Sequence, residues 1–360
     1  MPNRVIRHPG LRGQQGLTLI EFMVAITIGM ILVAAIATLI AQQSGNRAEI
    51  DKSGRMIENG RYAVQTMQTD LQMAGYWGEI GSAPAAPGSV PDPCDTSAAT
   101  LEAAMGVHVQ GFDQPLATLP TSLQVCVKNH KPGTDVLVLR RVDPDTTDIE
   151  TSGTVTWTLL KPGQVYLQTG LNPATSQFDW VAPTAANGTT DSSTFTRLRK
   201  NKTTPASPRK YMVHIYYVSK CSVEVSGSCT NADGGTPIPT LKRVELGVTS
   251  GAPSFSTVTI AEGIEDFQVD YSRDTTGDGV PDTDSDGNGF TANNWAEVVG
   301  VKLHVLARSL EKAGNGFADT KVYAMGSAGA ASAPVSEQAF KRHLFVQSVR
   351  LVNPAGRRVF

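Results

Sequence analysis

Three hydrophobic patterns follow one another along the chain. From Phe22 to Ala41 there is no charge and no proline, and at about 1.5 Å of rise per residue such a helix is roughly 30 Å long, the thickness of a bilayer's hydrocarbon core. The pattern then turns polar with a narrow apolar stripe: Ile50, Ile57, Val64 and Leu71 recur every seven residues, and Gly60, Met67 and Ala74 fall three later in each repeat. That period predicts a helix laid along a surface. Gly75, Gly78 and Gly81 with Pro84 and Pro87 end it. Residues 82–130 are rich in Ala, Pro and Gly and predict a long loop region with short elements. Strand patterns take over afterwards: 134–142, 153–160, 164–168, 210–220, 241–248, 258–271, 295–309 and 341–352, each rich in β-branched or aromatic residues. A long helix followed by strands alone, without alternating βαβ units, predicts an α+β chain with a mainly antiparallel sheet.

One residue breaks the first pattern. Glu21 places a carboxylate just ahead of the apolar run, where burial in lipid is costly and marks a functional candidate that needs a partner. Arg4, Arg7 and Arg12 precede it. A basic flank before a first membrane segment stays on the cytoplasmic side, which puts the chain after Ala41 across the inner membrane. Two plainer readings compete: a secretory signal peptide cut at Ala35-Ile36-Ala37, which Glu21 opposes, and an uncleaved anchor.

The run Gly16-Leu17-Thr18-Leu19-Ile20-Glu21 ahead of the apolar stretch resembles the class III signal of type IV pilins and type II secretion pseudopilins. Most of that family carries Phe where this chain has Leu17. The resemblance implies cleavage by a prepilin peptidase at the Gly16-Leu17 bond and N-methylation of Leu17. It implies that Glu21 serves assembly by meeting the new amino group, one helical turn away or on a neighbouring subunit, an attraction that low dielectric strengthens. The expected segments are a cleaved basic leader at 1–16, a transmembrane and filament-core helix at 17–41, and an amphipathic continuation at 42–80. A β-rich domain over 81–360, in one lobe or two, completes the chain.

Composition narrows the remainder. A net charge of −2 argues against nucleic acid as a partner. The four cysteines, Cys94, Cys126, Cys221 and Cys229, all follow the apolar segment, as two disulfides in an oxidising compartment would require. Spacing suggests Cys94 with Cys126 and Cys221 with Cys229, although four cysteines allow three pairings. The six histidines are scattered, and there is no HExxH, P-loop, GxSxG or strand-to-helix GxGxxG, so no enzyme is expected. His214 and His304 fall inside strands, where a structural role is expected.

A second chemical feature is the Asp/Gly run from Asp274 to Gly289. Asp274, Thr276, Asp278 and Asp282 form one frame of alternating oxygen side chains and Asp282, Asp284, Asp286 and Asn288 another, with Gly279 and Gly287 at the sixth positions. Calcium needs such oxygens around a sharp turn. The bidentate Glu of an EF-hand is missing from both frames, since Ser285 and Asn293 stand at the twelfth positions. A calcium-binding β-loop and a solvated hairpin tip are both open readings.

Around that loop, Ile264-Glu-Asp-Phe267-Gln-Val-Asp270-Tyr271 and Asn294-Trp295-Ala-Glu-Val298 through Arg308 resemble the C-terminal half of PilW-type minor pilins. The resemblance covers both ends and leaves about 82–257 poorly matched. It implies a minor pilin that joins other minor pilins and the major pilin, primes pilus assembly at the tip, displays a tip adhesin and supports twitching motility and adhesion. It places the chain first in the inner membrane and then on the cell surface in the pilus. A J-type pseudopilin of a type II secretion system and a membrane-anchored calcium-binding adhesin are the alternatives.

Overall fold

The computed structural model describes residues 16, 18–80, 83–113, 119–170, 178–181, 195–314 and 316–358. Most of the expected leader, Leu17 and Gly81 lie outside them. The chain divides into two compact units, residues 1–51 and 52–360.

Helix α1 spans Leu19–Met73. Within the first unit its apolar side chains are exposed, and the stretch is long and apolar enough to cross a membrane. Two hydroxyls interrupt it without cost to the helix. Thr27 donates to the Val24 carbonyl at 2.9 Å and Thr38 to the Ala35 carbonyl at 2.8 Å, so neither needs water.

In the second unit the helix is followed by α2 (Ala98–Ala103), β1 (Val109–Phe112), α3 (Thr121–Gln124) and β2 (Val136–Val142). A small hairpin, β3 (Glu150–Thr151) and β4 (Thr154–Val155), leads to β5 (Tyr166–Thr169), β6 (Phe178–Val181) and β7 (Arg209–Ser219). Then come β8 (Thr240–Thr249), β9 (Ala252–Glu262), β10 (Ile264–Arg273), β11 (Thr283–Ser285) and α4 (Ala292–Ala296). The chain closes with β12 (Val298–Arg308), β13 (Val322–Ala324), β14 (Ala330–Ser332), β15 (Arg342–Arg350) and α5 (Val352–Arg357).

Two antiparallel sheets carry the core. In the larger, β7 pairs with β2, β5 and β8, while β1, β6 and β9 lie outside those neighbours. The smaller has the order β11-β10-β12-β15. Alternation explains why β2 and β7 are apolar almost throughout. Leu137, Leu139, Tyr216 and Val218 join a core with the helix, whereas Val136, Val138, Val213, Ile215 and Tyr217 point to the opposite face and pack with Trp77, Leu101 and Leu123. Both faces are buried, so no polar face shows. The inner face of the smaller sheet, with Phe267, Val269, Tyr271, Val301, Leu303 and Val305, closes the first core.

The helix seam in this core is Met56, Gly60, Ala63, Val64, Met67, Asp70, Leu71 and Ala74. Ile57, expected in the stripe, is exposed instead, because the seam follows the true 3.6-residue turn and a strict seven-residue repeat drifts off it. Gly60 is required where it stands: a Cβ there would run into the Phe345 ring of β15.

Three strand expectations change. The run 258–271 is two strands in different sheets, broken at Gly263, whose φ of 74° turns the chain where a Cβ would strike the Arg308 carbonyl. Residues 153–160 give only Thr154–Val155, entered through a hairpin turn in which Ser152 and Gly153 both take positive φ, and then a 3-10 turn at Trp157–Leu159. Trp295 belongs to α4, and its strand starts at Val298.

Candidate assembly site

The start of α1 explains how the chain carries a carboxylate there. A helix's first N–H groups have no internal acceptors. Thr18 stands just before the first helical residue and Glu21 three positions later. Glu21 Oε2 accepts from the Thr18 amide and from its hydroxyl, both at 2.9 Å, and the Glu21 amide donates back to Thr18 Oγ1 at 3.3 Å. This is a reciprocal capping box. Its signature, Thr18-x-x-Glu21 before an apolar run, stands in the sequence beside the assembly motif and overlaps it. Oε1 makes no hydrogen bond among the described residues. Ile20, Val24, Ala25 and Ile28, all exposed, make the helix surface beside the carboxylate apolar. Gly16 is exposed, and Leu17 lies outside the described residues.

The Asp/Gly run lies between β10 and β12, but it is not one open loop. Thr283–Ser285 pairs as β11 with Tyr271–Arg273, which puts Asp284 in a strand, where it accepts from the Ser272 hydroxyl at 2.5 Å. Buried Asp274 closes the first turn by accepting from the amides of Gly277 (2.6 Å) and Gly279 (2.8 Å) and from Thr276 Oγ1 (3.3 Å). Asp282 accepts from the amides of Thr275 and Thr276 at 2.7 and 3.1 Å. Asp278 accepts from the Val280 amide, and Asp286 from the Asn288 amide. Asp274, Asp278, Asp282 and Asp286 thus serve turns, and Asp284 serves the β10–β11 ladder. Among the described residues no three acidic, His or Cys side chains gather as metal ligands.

Residues 11–37 match the family model described as the prokaryotic N-terminal methylation motif, and residues 215–353 match that of type IV pilus-assembly protein W. Over those two regions the chain is similar to PilW-type type IV pilins. No curated protein and no solved structure matches it. The PilW-like region runs from within β7 to the start of α5, and so takes in the β8–β9 hairpin and the whole smaller sheet.

In this PilW-like chain both disulfides follow the pairing that spacing suggested. Cys94 bonds Cys126 with Cα atoms 5.7 Å apart, and Cys221 bonds Cys229 at 5.5 Å, closing the loop after β7.

What holds α1 to the larger sheet is not legible in the sequence. Asp70, in the middle of the apolar seam, is 4% exposed. It accepts from Arg141 Nε at 2.8 Å, from Tyr216 Oη at 2.9 Å and from His214 Nδ1. Burial pushes its carboxyl up, but the His214 hydrogen bond and charge, with those of Arg141, outweigh burial and hold it well below the usual carboxylate range. His304 of β12 likewise meets Asp270 of β10 at 3.1 Å. Both histidines sit in strands with carboxylate partners, as a structural role requires. A carboxylate in a helix seam is the one signal that would have found Asp70, and only with the strand partners in view.

Proposed function

We propose that the chain is a minor pilin, cut by prepilin peptidase between Gly16 and Leu17, N-methylated on Leu17 and held in the inner membrane by the helix until it enters a pilus. The observation that carries this reading is the presence on one chain of a methylation motif at 11–37 and a PilW-like region at 215–353. Cleavage would create an amino group on the residue before Thr18, close in sequence to a carboxylate whose Oε1 is uncommitted among the described residues. Capping by Thr18 holds Oε2 and leaves Oε1 to meet that amine or a neighbouring subunit's. The second unit would lie in the periplasm, then on the cell surface, in contact with other minor pilins, the major pilin and a tip adhesin. Priming of assembly at the tip and support of twitching and adhesion follow from that placement.

Deleting the gene is expected to reduce surface pili and twitching while leaving protein export intact. Lost export with normal pili would instead assign the chain to a type II secretion system. Loss of neither, with an intact leader, would leave a membrane-anchored adhesin.

Calcium in the Asp/Gly run is a further proposal, supported by the oxygen side chains of the two frames. Millimolar calcium is expected to raise the Tm of the second unit, and Asp278→Ala to weaken that rise. An unchanged melting curve would leave the turns held only by their own amide donors.

A further inference from the structure

The edge of a sheet presents unpaired N–H and C=O groups, and proteins blunt edges by brevity, charge, proline or cover. Most edges here are blunted. Strands β1 and β6 have four residues each and β11 three. Strand β15 carries Arg342, His343 and Arg350, and its Phe345 and Val346 share a groove with Arg61 and Gln65 of α1. Strand β9 is different. From Ser254 to Ala261 it holds eight residues with no charge, proline or glycine. Ser256, Thr257, Val258 and Thr259 are exposed in succession at the strand's middle, between Phe255 and Ile260, which pack on the core. Among the described residues β8 is its sole pairing partner.

We infer that β9 is completed by β9 of a second copy of this chain, antiparallel, about a two-fold axis at Thr257. In that register Thr257 faces Thr257, Ser256 faces Val258, Phe255 faces Thr259 and Ser254 faces Ile260. These are aromatic, β-branched and hydroxyl pairs, and no like charges meet. Moving the axis to Phe255 puts Pro253 into the ladder, and moving it to Thr259 brings in Glu262. The charges on β8 also favour a neutral partner. Arg243 pairs with Glu245 at 2.5 Å, and Lys242 with Glu224 at 3.4 Å, so the charges of β8 are compensated and select neither an acidic nor a basic strand. An isologous pair closes on itself and leaves neither copy's β9 open to propagate.

The inference rests on β9 and stands apart from the pilus reading. The test is disulfide crosslinking of the full-length protein in detergent micelles. Thr257→Cys is expected to give a reductant-sensitive dimer on oxidation. Ser254→Cys alone is expected not to, and Ser254→Cys with Ile260→Cys in the same chain is expected to restore it. In light-scattering measurements Thr257→Lys is expected to weaken dimerisation at least tenfold with an unchanged melting curve. Three results overturn the inference: a monomer at all concentrations, equal crosslinking from the Ser254→Cys and Thr257→Cys variants, or a dimer indifferent to Thr257→Lys, as association through the apolar helix alone would give.

Discussion

Replacing Asp70 with alanine is expected to destabilise the second unit by about 3–5 kcal/mol, the cost of removing one partner from a buried charged cluster. Arg141 and His214 are 15% and 5% exposed at their side chains and lose their shared acceptor together. Tyr216 Oη loses its acceptor as well. In a domain of this size that corresponds to a drop in Tm of roughly 5–8 °C. Asp70→Asn, which keeps the shape and an acceptor oxygen, is expected to fall between the two. A thermal melt of Asp70→Ala within about 1 kcal/mol of the parent would show that the seam holds without the cluster.

The same cluster sets an acid limit that lies below a histidine limit. Burial pushes the imidazoles of His108 and His130 down to about 4, and each keeps one ring nitrogen on a backbone carbonyl, of Val298 and Thr134. The unfolded chain takes up those protons near pH 6.5. Stability is therefore complete above about pH 6.5 and declines as the pH falls toward 4. Asp70 adds a second decline. Its folded carboxyl lies below the unfolded value of roughly 4, so its contribution is present above that pH and is lost as the pH falls through the folded value. Asp70→Asn is expected to shrink the lower decline, to which Glu265, Asp233 and Asp274 also contribute, and to leave the upper one in place.

Glu21→Ala is expected to leave cleavage and membrane insertion intact and to abolish or severely reduce recruitment into the filament. The two effects separate because insertion depends on the apolar run, whereas recruitment depends on a carboxylate that can meet an amine in low dielectric. The variant also opens the capping box, so its helix start frays. Thr18→Ala supplies the control: it removes the hydroxyl from the box and keeps the charge. Crosslinking of the chain to neighbouring subunits should be lost in Glu21→Ala and retained in Thr18→Ala. Equal loss in both would assign Glu21 to helix capping alone.

How much of this was legible depended on whether a feature was local. The apolar helix, its carboxylate and most strands follow from period and composition, and the cysteine pairing from short separations. Features that depend on a distant contact did not show. Residues 252–271 carry almost continuous β-forming residues, and only Gly263 marks the change of sheet, for a reason that lies in the carbonyl of Arg308. Ile57 has the right spacing in a seven-residue repeat and the wrong angle on a real helix. Asp70 looked like an interruption of an apolar seam, and its three partners come from β2 and β7, about 70 and 145 positions along the chain. The Asp/Gly run showed its oxygens but not that most of its carboxylates are taken up by local turn amides.

The central claim is a processed pilus subunit, and mass spectrometry of the amino-terminal peptide tests it most directly, taken separately from sheared surface filaments and from the membrane fraction. The account predicts a peptide beginning at N-methylated Leu17 in the filaments. An intact leader in every fraction, or a start after Ala37, would contradict it.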